Sequence, residues 1–181
     1  MKKKNYLEFL FIIILGALTS LSLPPYNYLF VNFATISLFF VFIFRKKKSA
    51  KISYPFAYGW FYGFGYFLTN LYWITISLTF DENFNFLIPL ALILIPSFLA
   101  LFYGLVTYCF FKIKIKKIVS NLFLFSLLLG LAEYLRGNIL TGFPWNLIAY
   151  SFSENLEVLQ IISFIGTYSF NVLCISFFSS P

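Results

Sequence analysis

Twelve of the thirteen cations in this chain fall in three short clusters, and the stretches between them are almost pure hydrocarbon. Lys2, Lys3 and Lys4 make the first cluster, Arg45 to Lys48 with Lys51 the second, and Lys112, Lys114, Lys116 and Lys117 the third. An apolar run of about 20 residues crosses roughly 30 Å of hydrocarbon as a helix, so basic gaps between such runs mark membrane loops. Hydrophobic residues are 61% of the 181 and charged ones only 10%, with a mean hydropathy of +0.88. A water-soluble domain of that length has too little polar surface to cover such a composition. The sequence predicts an all-α polytopic membrane protein. A net charge of +7 suggests a nucleic-acid partner, but the cations lie in gaps between spans rather than on one face, so no nucleic acid is expected. The 27 phenylalanines fit an AT-rich coding bias and need no aromatic binding surface.

Six spanning helices are expected, at about 6–23, 28–44, 55–80, 84–111, 118–135 and 156–178. With a cytoplasmic N-terminus, the loops after the second and fourth helices are also cytoplasmic, and these are the two basic ones. The outward loops then read SLPPYN, FDENFN and GNILTGFPW, with Arg136 the one cation at that face. Asp81, Glu82, Glu133, Glu154 and Glu157 fall on the same side, and Glu8 is the exception. A basic start and small residues at Ala17 to Ser20 resemble a cleaved signal, but the five spans that follow favour an uncleaved first helix. Cys109 and Cys174 lie inside apolar segments and are expected to be buried, inert thiols.

Within the third helix, Gly59 and Gly63 stand four apart with Gly65 close behind, a spacing that puts small residues on one face for close helix packing or for a homodimer contact. Trp60 and Trp73 suit an interfacial aromatic belt, and Asn70 should face a neighbouring helix rather than lipid. Pro89 and Pro96 should kink or loosen the fourth helix.

The most unusual segment is EYLRGNILTGFPW, Glu133 to Trp145. Glu133 and Arg136 are three apart on one helical face and can pair, which lowers the cost of placing charge near lipid. Gly137 permits the helix to end, and Gly142, Phe143, Pro144 and Trp145 follow as a stiff turn. Asn146, Tyr150 and Ser151 add hydrogen-bonding groups. Two readings compete: a helix-end salt bridge with an aromatic anchor, or a polar notch at the outer leaflet that grips a lipid head group, with Arg136 on its phosphate.

These residues resemble, in order and spacing, the signature of the bacterial apolipoprotein N-acyltransferases. The resemblance rests on Glu133 to Gly137, Thr141 to Trp145, and Tyr150 with Ser151. Leu23 to Tyr26, the glycine-rich third helix with Asn70 and Trp73, and Leu159 to Leu173 agree with it, so it runs from about Leu15 to the end. It implies that 1–181 is the N-terminal transmembrane domain of such an enzyme, multi-pass in the bacterial inner membrane. It implies lipoprotein maturation: an acyl chain moves from a phospholipid donor to an enzyme cysteine as a thioester. It then passes to the α-amine of the diacylglyceryl-cysteine that begins an apolipoprotein. Glu133, Arg136, Gly142, Phe143, Pro144, Trp145 and Tyr150 become candidates to face lipid or substrate; Gly59, Gly63 and Gly65 remain packing residues. No metal or other cofactor is implied.

The sequence departs from that family in lacking a hydrophilic nitrilase-like domain, where the family's cysteine, glutamate and lysine reside. It has no histidine, and every lysine lies in a basic cluster. The expectation is therefore an N-terminal fragment, inactive in acyl transfer alone, with no catalytic residue of its own. The alternatives are a membrane scaffold subunit that recruits a separate nitrilase-like protein and, less well supported, a small transporter.

Overall fold

The computed structural model describes residues 3–49, 54–139, 142 and 144–180. Among them every regular element is helical. Helix α1 (Lys3–Thr19) runs into a 3₁₀ turn at Ser20–Ser22 and ends before the cis Pro24–Pro25 bond. Helix α2 (Val31–Lys48) carries the second basic cluster in its last turn, and α3 (Pro55–Leu71) starts with its proline at the first position, where no intrahelical N–H is needed. Helices α4 (Ile88–Lys112) and α5 (Ile118–Asn138) follow. The chain closes with a 3₁₀ turn at Ile148–Phe152 and helices α6 (Leu156–Leu159), α7 (Ile161–Ile165) and α8 (Thr167–Phe178).

Three of the expected helices differ in form. The third stops at Leu71, and Tyr72–Phe80 continues as a 3₁₀ run with no buried residue. Its composition explains why: Thr75, Ser77 and Thr79 each donate a hydroxyl to the carbonyl three residues back, at 2.6 to 2.7 Å, which competes with the α-helical ladder. With no fully buried residue to override it, the tighter helix persists. The fourth likewise opens as a 3₁₀ segment, Glu82–Leu87, capped by Asp81, whose carboxylate accepts from the Asn83 N–H at 3.0 Å. The sixth is not one helix: Gly166, at φ +81°, separates α7 from α8.

Among the described residues, two segments are long and apolar enough to cross a membrane, Glu82–Lys112 and Ile118–Asn138, and shorter apolar helices cover Tyr6–Ser22, Leu156–Ile165 and Thr167–Phe178. Only 22% of the apolar stretch of the first is buried, so Leu90, Ile93, Leu94 and Leu105 look outward. So much exposed hydrocarbon is compatible with lipid contact.

Helix α3 lies at the centre, packed chiefly on α4 and α1. The approach is close enough that a Cβ on Gly59 would meet the Tyr103 carbonyl oxygen at 2.0 Å, and one on Gly65 the Ile13 carbonyl oxygen at 2.2 Å. Gly63 faces Ala100 and Tyr103. These glycines therefore meet helices of the same chain. Around them Phe39 stacks on Tyr62 at 4.0 Å, and Tyr62, Tyr66 and Phe67 all lie against Tyr103.

The two ends of the bundle differ in chemistry. At one, Lys46 pairs with Glu8 at 2.6 Å, which gives the one acid out of pattern a partner. There also Lys47 donates to Asn121 Oδ1 at 2.7 Å and sits over the Phe110 ring. At the other, the connections after α1, after α3 and after α5 meet: Asn27 donates to Glu154 at 2.6 Å, and the Trp73 and Trp145 rings lie 6.0 Å apart.

Candidate functional site: a buried ion pair and an apolar groove

The last turns of α5 carry the pair, and the structure puts it inside the protein. Glu133 is 0% exposed and Arg136 2%. The Arg136 Nε donates to Glu133 Oε2 at 3.1 Å, and Nη2 bonds the same oxygen. The other carboxylate oxygen, Oε1, accepts from the Tyr103 hydroxyl of α4 at 2.5 Å. The guanidinium carbon lies 5.2 Å from the centre of the Phe67 ring of α3. Charge is thus balanced within the pair, and both carboxylate oxygens are satisfied, as a buried ion pair requires. In this arrangement the guanidinium does not reach a surface where a head-group phosphate would lie.

The strip that follows is tied back to this clamp. Gly142, at φ +72°, closes a turn onto the Ile139 carbonyl at 3.0 Å, and a Cβ there would sit 2.5 Å from the Gly137 carbonyl oxygen. Phe143 lies outside the described residues. Pro144 and Trp145 are exposed. Asn146 takes φ +59°, and its carbonyl accepts from the Tyr66 hydroxyl at 2.7 Å. Since Tyr66 stacks on Tyr103, a short relay of contacts joins the strip to Glu133. Leu147, Ile148 and Ala149 then turn inward, and Asn171 of α8 accepts the Ala149 N–H at 2.9 Å. The Tyr150 hydroxyl donates to the Pro144 carbonyl at 3.4 Å; burial, with Tyr168 nearby, raises its pKa.

Beside the strip opens a groove of about 550 Å³, walled by Leu23, Trp73, Trp145, Tyr150, Leu159 and Ile162. That volume falls in the range of about 300–1,000 Å³ usual for ligand pockets. A smaller pocket of about 250 Å³ adjoins it and shares Pro24, Trp73 and Asn146. Its other walls include Ser20, Thr69 and Asn70.

Of the sequence candidates, Trp145 and Tyr150 line the groove, Glu133 and Arg136 are buried and are not among its walls, and Gly142 and Pro144 shape the turn. Tyr103, Phe67, Tyr66 and Asn171 complete the site without having been singled out. Asn171, a polar residue in an apolar helix, carried a local signal; the three aromatics are indistinguishable in sequence from their many neighbours. Cys174 is buried, whereas Cys109 is exposed, contrary to expectation, because it sits beside Tyr108 on the outward face of α4.

Residues 15–179 match the family described as the apolipoprotein N-acyltransferase N-terminal domain. The chain belongs to that family. It is 35% identical over 169 residues to the apolipoprotein N-acyltransferase of Rhodopseudomonas palustris, covering 92% of this chain and 31% of that protein. The apolipoprotein N-acyltransferase of Rhizobium etli is 34% identical over 173 residues, again 92% of this chain and 32% of the relative. That of Brucella melitensis is 31% identical over 184 residues, with the same coverage. The chain spans about a third of the length of these relatives. The N-terminal domain family thus encloses both the clamp and the groove.

Proposed function

We propose that these residues form the membrane part of an apolipoprotein N-acyltransferase, set in the bacterial inner membrane with six spans and a cytoplasmic N-terminus. The observation that carries this reading is the apolar groove walled by Trp145 and Tyr150, on the strip that follows the Glu133–Arg136 clamp, in a chain of this family. A largely hydrocarbon groove suits the acyl chain of a phospholipid donor. In this reading the donor lies along Trp145 and Tyr150, while Gly142 and Pro144 hold the turn that presents them. Glu133 and Arg136 position that turn from below and do not touch the lipid. The acceptor, the diacylglyceryl-cysteine of an apolipoprotein, meets its acyl group on protein outside these 181 residues. Neither cysteine here suits the nucleophile: Cys174 is buried in α8, and Cys109 lies on α4 near Lys112, towards the basic end. The chain alone therefore transfers no acyl group.

Photo-crosslinking tests the groove. Phosphatidylethanolamine with a photoactivatable acyl chain should mark Trp145, Tyr150, Leu159 or Ile162, and Trp145→Ala should lower the yield severalfold. Crosslinks spread evenly over α4 and α5 instead would sink the assignment. The rival reading, a scaffold subunit that recruits a separate nitrilase-like protein, draws on the same features. Intact mass in the native membrane separates the two: a 21.1 kDa species that co-purifies with a nitrilase-like partner favours the scaffold, and a larger single chain favours the enzyme.

A further inference from the structure

The small pocket beside the groove has a polarity that its neighbour lacks. Two side-chain nitrogens of its walls, Asn70 Nδ2 at the end of α3 and Asn146 Nδ2 in the strip, are buried with no hydrogen-bond partner. The Ser20 and Thr69 hydroxyls beside them are occupied: Ser20 donates to the Ala17 carbonyl at 2.7 Å and Thr69 to the Gly65 carbonyl at 2.9 Å. A buried donor left unpaired costs roughly 1–3 kcal/mol, so two in one cavity are expensive unless a ligand supplies acceptors. Among the described residues no lysine, arginine or acid lines the cavity. An anion would enter without a counter-charge, whereas a neutral acceptor suits two carboxamide donors. Asn146 also walls the apolar groove, so the acceptor belongs to a molecule whose hydrocarbon runs next door.

We infer that Asn70 and Asn146 form a subsite for ester carbonyl oxygens of a diacyl glycerolipid whose acyl chain occupies the Trp145–Tyr150 groove. This rests on the lipid reading of that groove and adds to it the group recognised at the chain's head. The strip has a backbone reason to place Asn146 there. At φ +59° asparagine is among the few tolerated non-glycine residues, and the same residue offers its carbonyl to Tyr66 and lines the pocket.

The two kinds of chain linkage provide the test. Diester and diether phosphatidylethanolamines with identical head groups and chains differ in the two carbonyls. Each would compete with a fluorescent diester lipid bound to the detergent-purified protein. The diester should displace the probe at roughly tenfold lower concentration, the value of two modest hydrogen bonds. Asn70→Leu should erase most of that preference, and so should Asn146→Gly, which keeps the positive φ available. Equal displacement by the two lipids in the unsubstituted protein overturns the carbonyl subsite and leaves the apolar groove standing. Displacement by neither overturns both. Should Asn70→Leu fail to fold, the diester–diether comparison and Asn146→Gly still decide.

Discussion

At the scale of single residues, the decisive fact is that Glu133 and Arg136 are buried with their charges balanced. Taking two charges out of water is costly, and the pair persists because each supplies the other's counter-charge while Tyr103 satisfies the remaining oxygen. Removing one partner leaves the other alone in a low-dielectric site. Arg136→Ala should therefore destabilise the protein by about 3–5 kcal/mol, measured by unfolding in mixed micelles of increasing denaturing detergent. The double variant Glu133→Gln, Arg136→Met should cost much less than the two single changes added together; a strictly additive cost would mean that the two charges do not depend on each other. Tyr103→Phe should cost about 1–3 kcal/mol by stranding Glu133 Oε1. The pairing was legible from the i, i+3 spacing on a helix. Its burial was not, since Tyr103 and Phe67 arrive from helices 30 and 66 residues earlier in the chain than Glu133.

Among the elements, the central role of α3 rests on glycines at its closest approaches to its neighbours. Its glycines meet backbone on α1 and α4, which cannot yield as a side-chain tip can. Gly59→Ala drives a methyl into the Tyr103 carbonyl and should destabilise by about 1–3 kcal/mol or more through separation of α3 from α4. Gly137→Ala meets the Tyr168 hydroxyl, the far end of a movable ring, and should cost well under half as much in the same unfolding measurement. If the two changes cost the same, the contact with backbone is not what makes Gly59 necessary. The spacing of Gly59 and Gly63 indicated a close-packed face, but not which neighbour it meets. Spacing also misjudged where helices end. Hydropathy runs on unbroken through Tyr72–Phe80 and through Gly166, yet the α-helix ends at Leu71 because the Thr and Ser hydroxyls compete for carbonyls, and at Ile165 because Gly166 turns to positive φ.

On the scale of the whole molecule, charge and shape agree on two chemically distinct ends. The Glu8–Lys46 pair and the Lys47–Asn121 bond gather the basic termini of α1, α2 and α5. The Trp73–Trp145 contact and the Asn27–Glu154 bond gather the acidic and aromatic connections opposite. In the proposed orientation, the basic end faces the cytoplasm. With Cys109 and Cys174 replaced by serine, a membrane-impermeant thiol reagent should label Ser49→Cys only in inverted vesicles and Asp81→Cys only in right-side-out ones. Labelling in the reverse sense would turn the molecule over and put the groove at the cytoplasmic face.

Composition, three basic clusters and the spacing of Glu133, Arg136 and the Gly142–Trp145 turn were enough to determine a helical chain suited to lipid and its place in a family. These are local and periodic properties, written in consecutive residues and readable one window at a time. The tertiary structure decided the rest: that the ion pair is a buried clamp, that Trp73 and Trp145 wall one groove, and that Asn70 and Asn146 open onto the same pocket. Each of those depends on helices far apart in sequence meeting at a particular rotation. In a chain where nearly every residue is apolar, hydropathy scarcely distinguishes one helix face from another, and only side-chain packing fixes which face turns in.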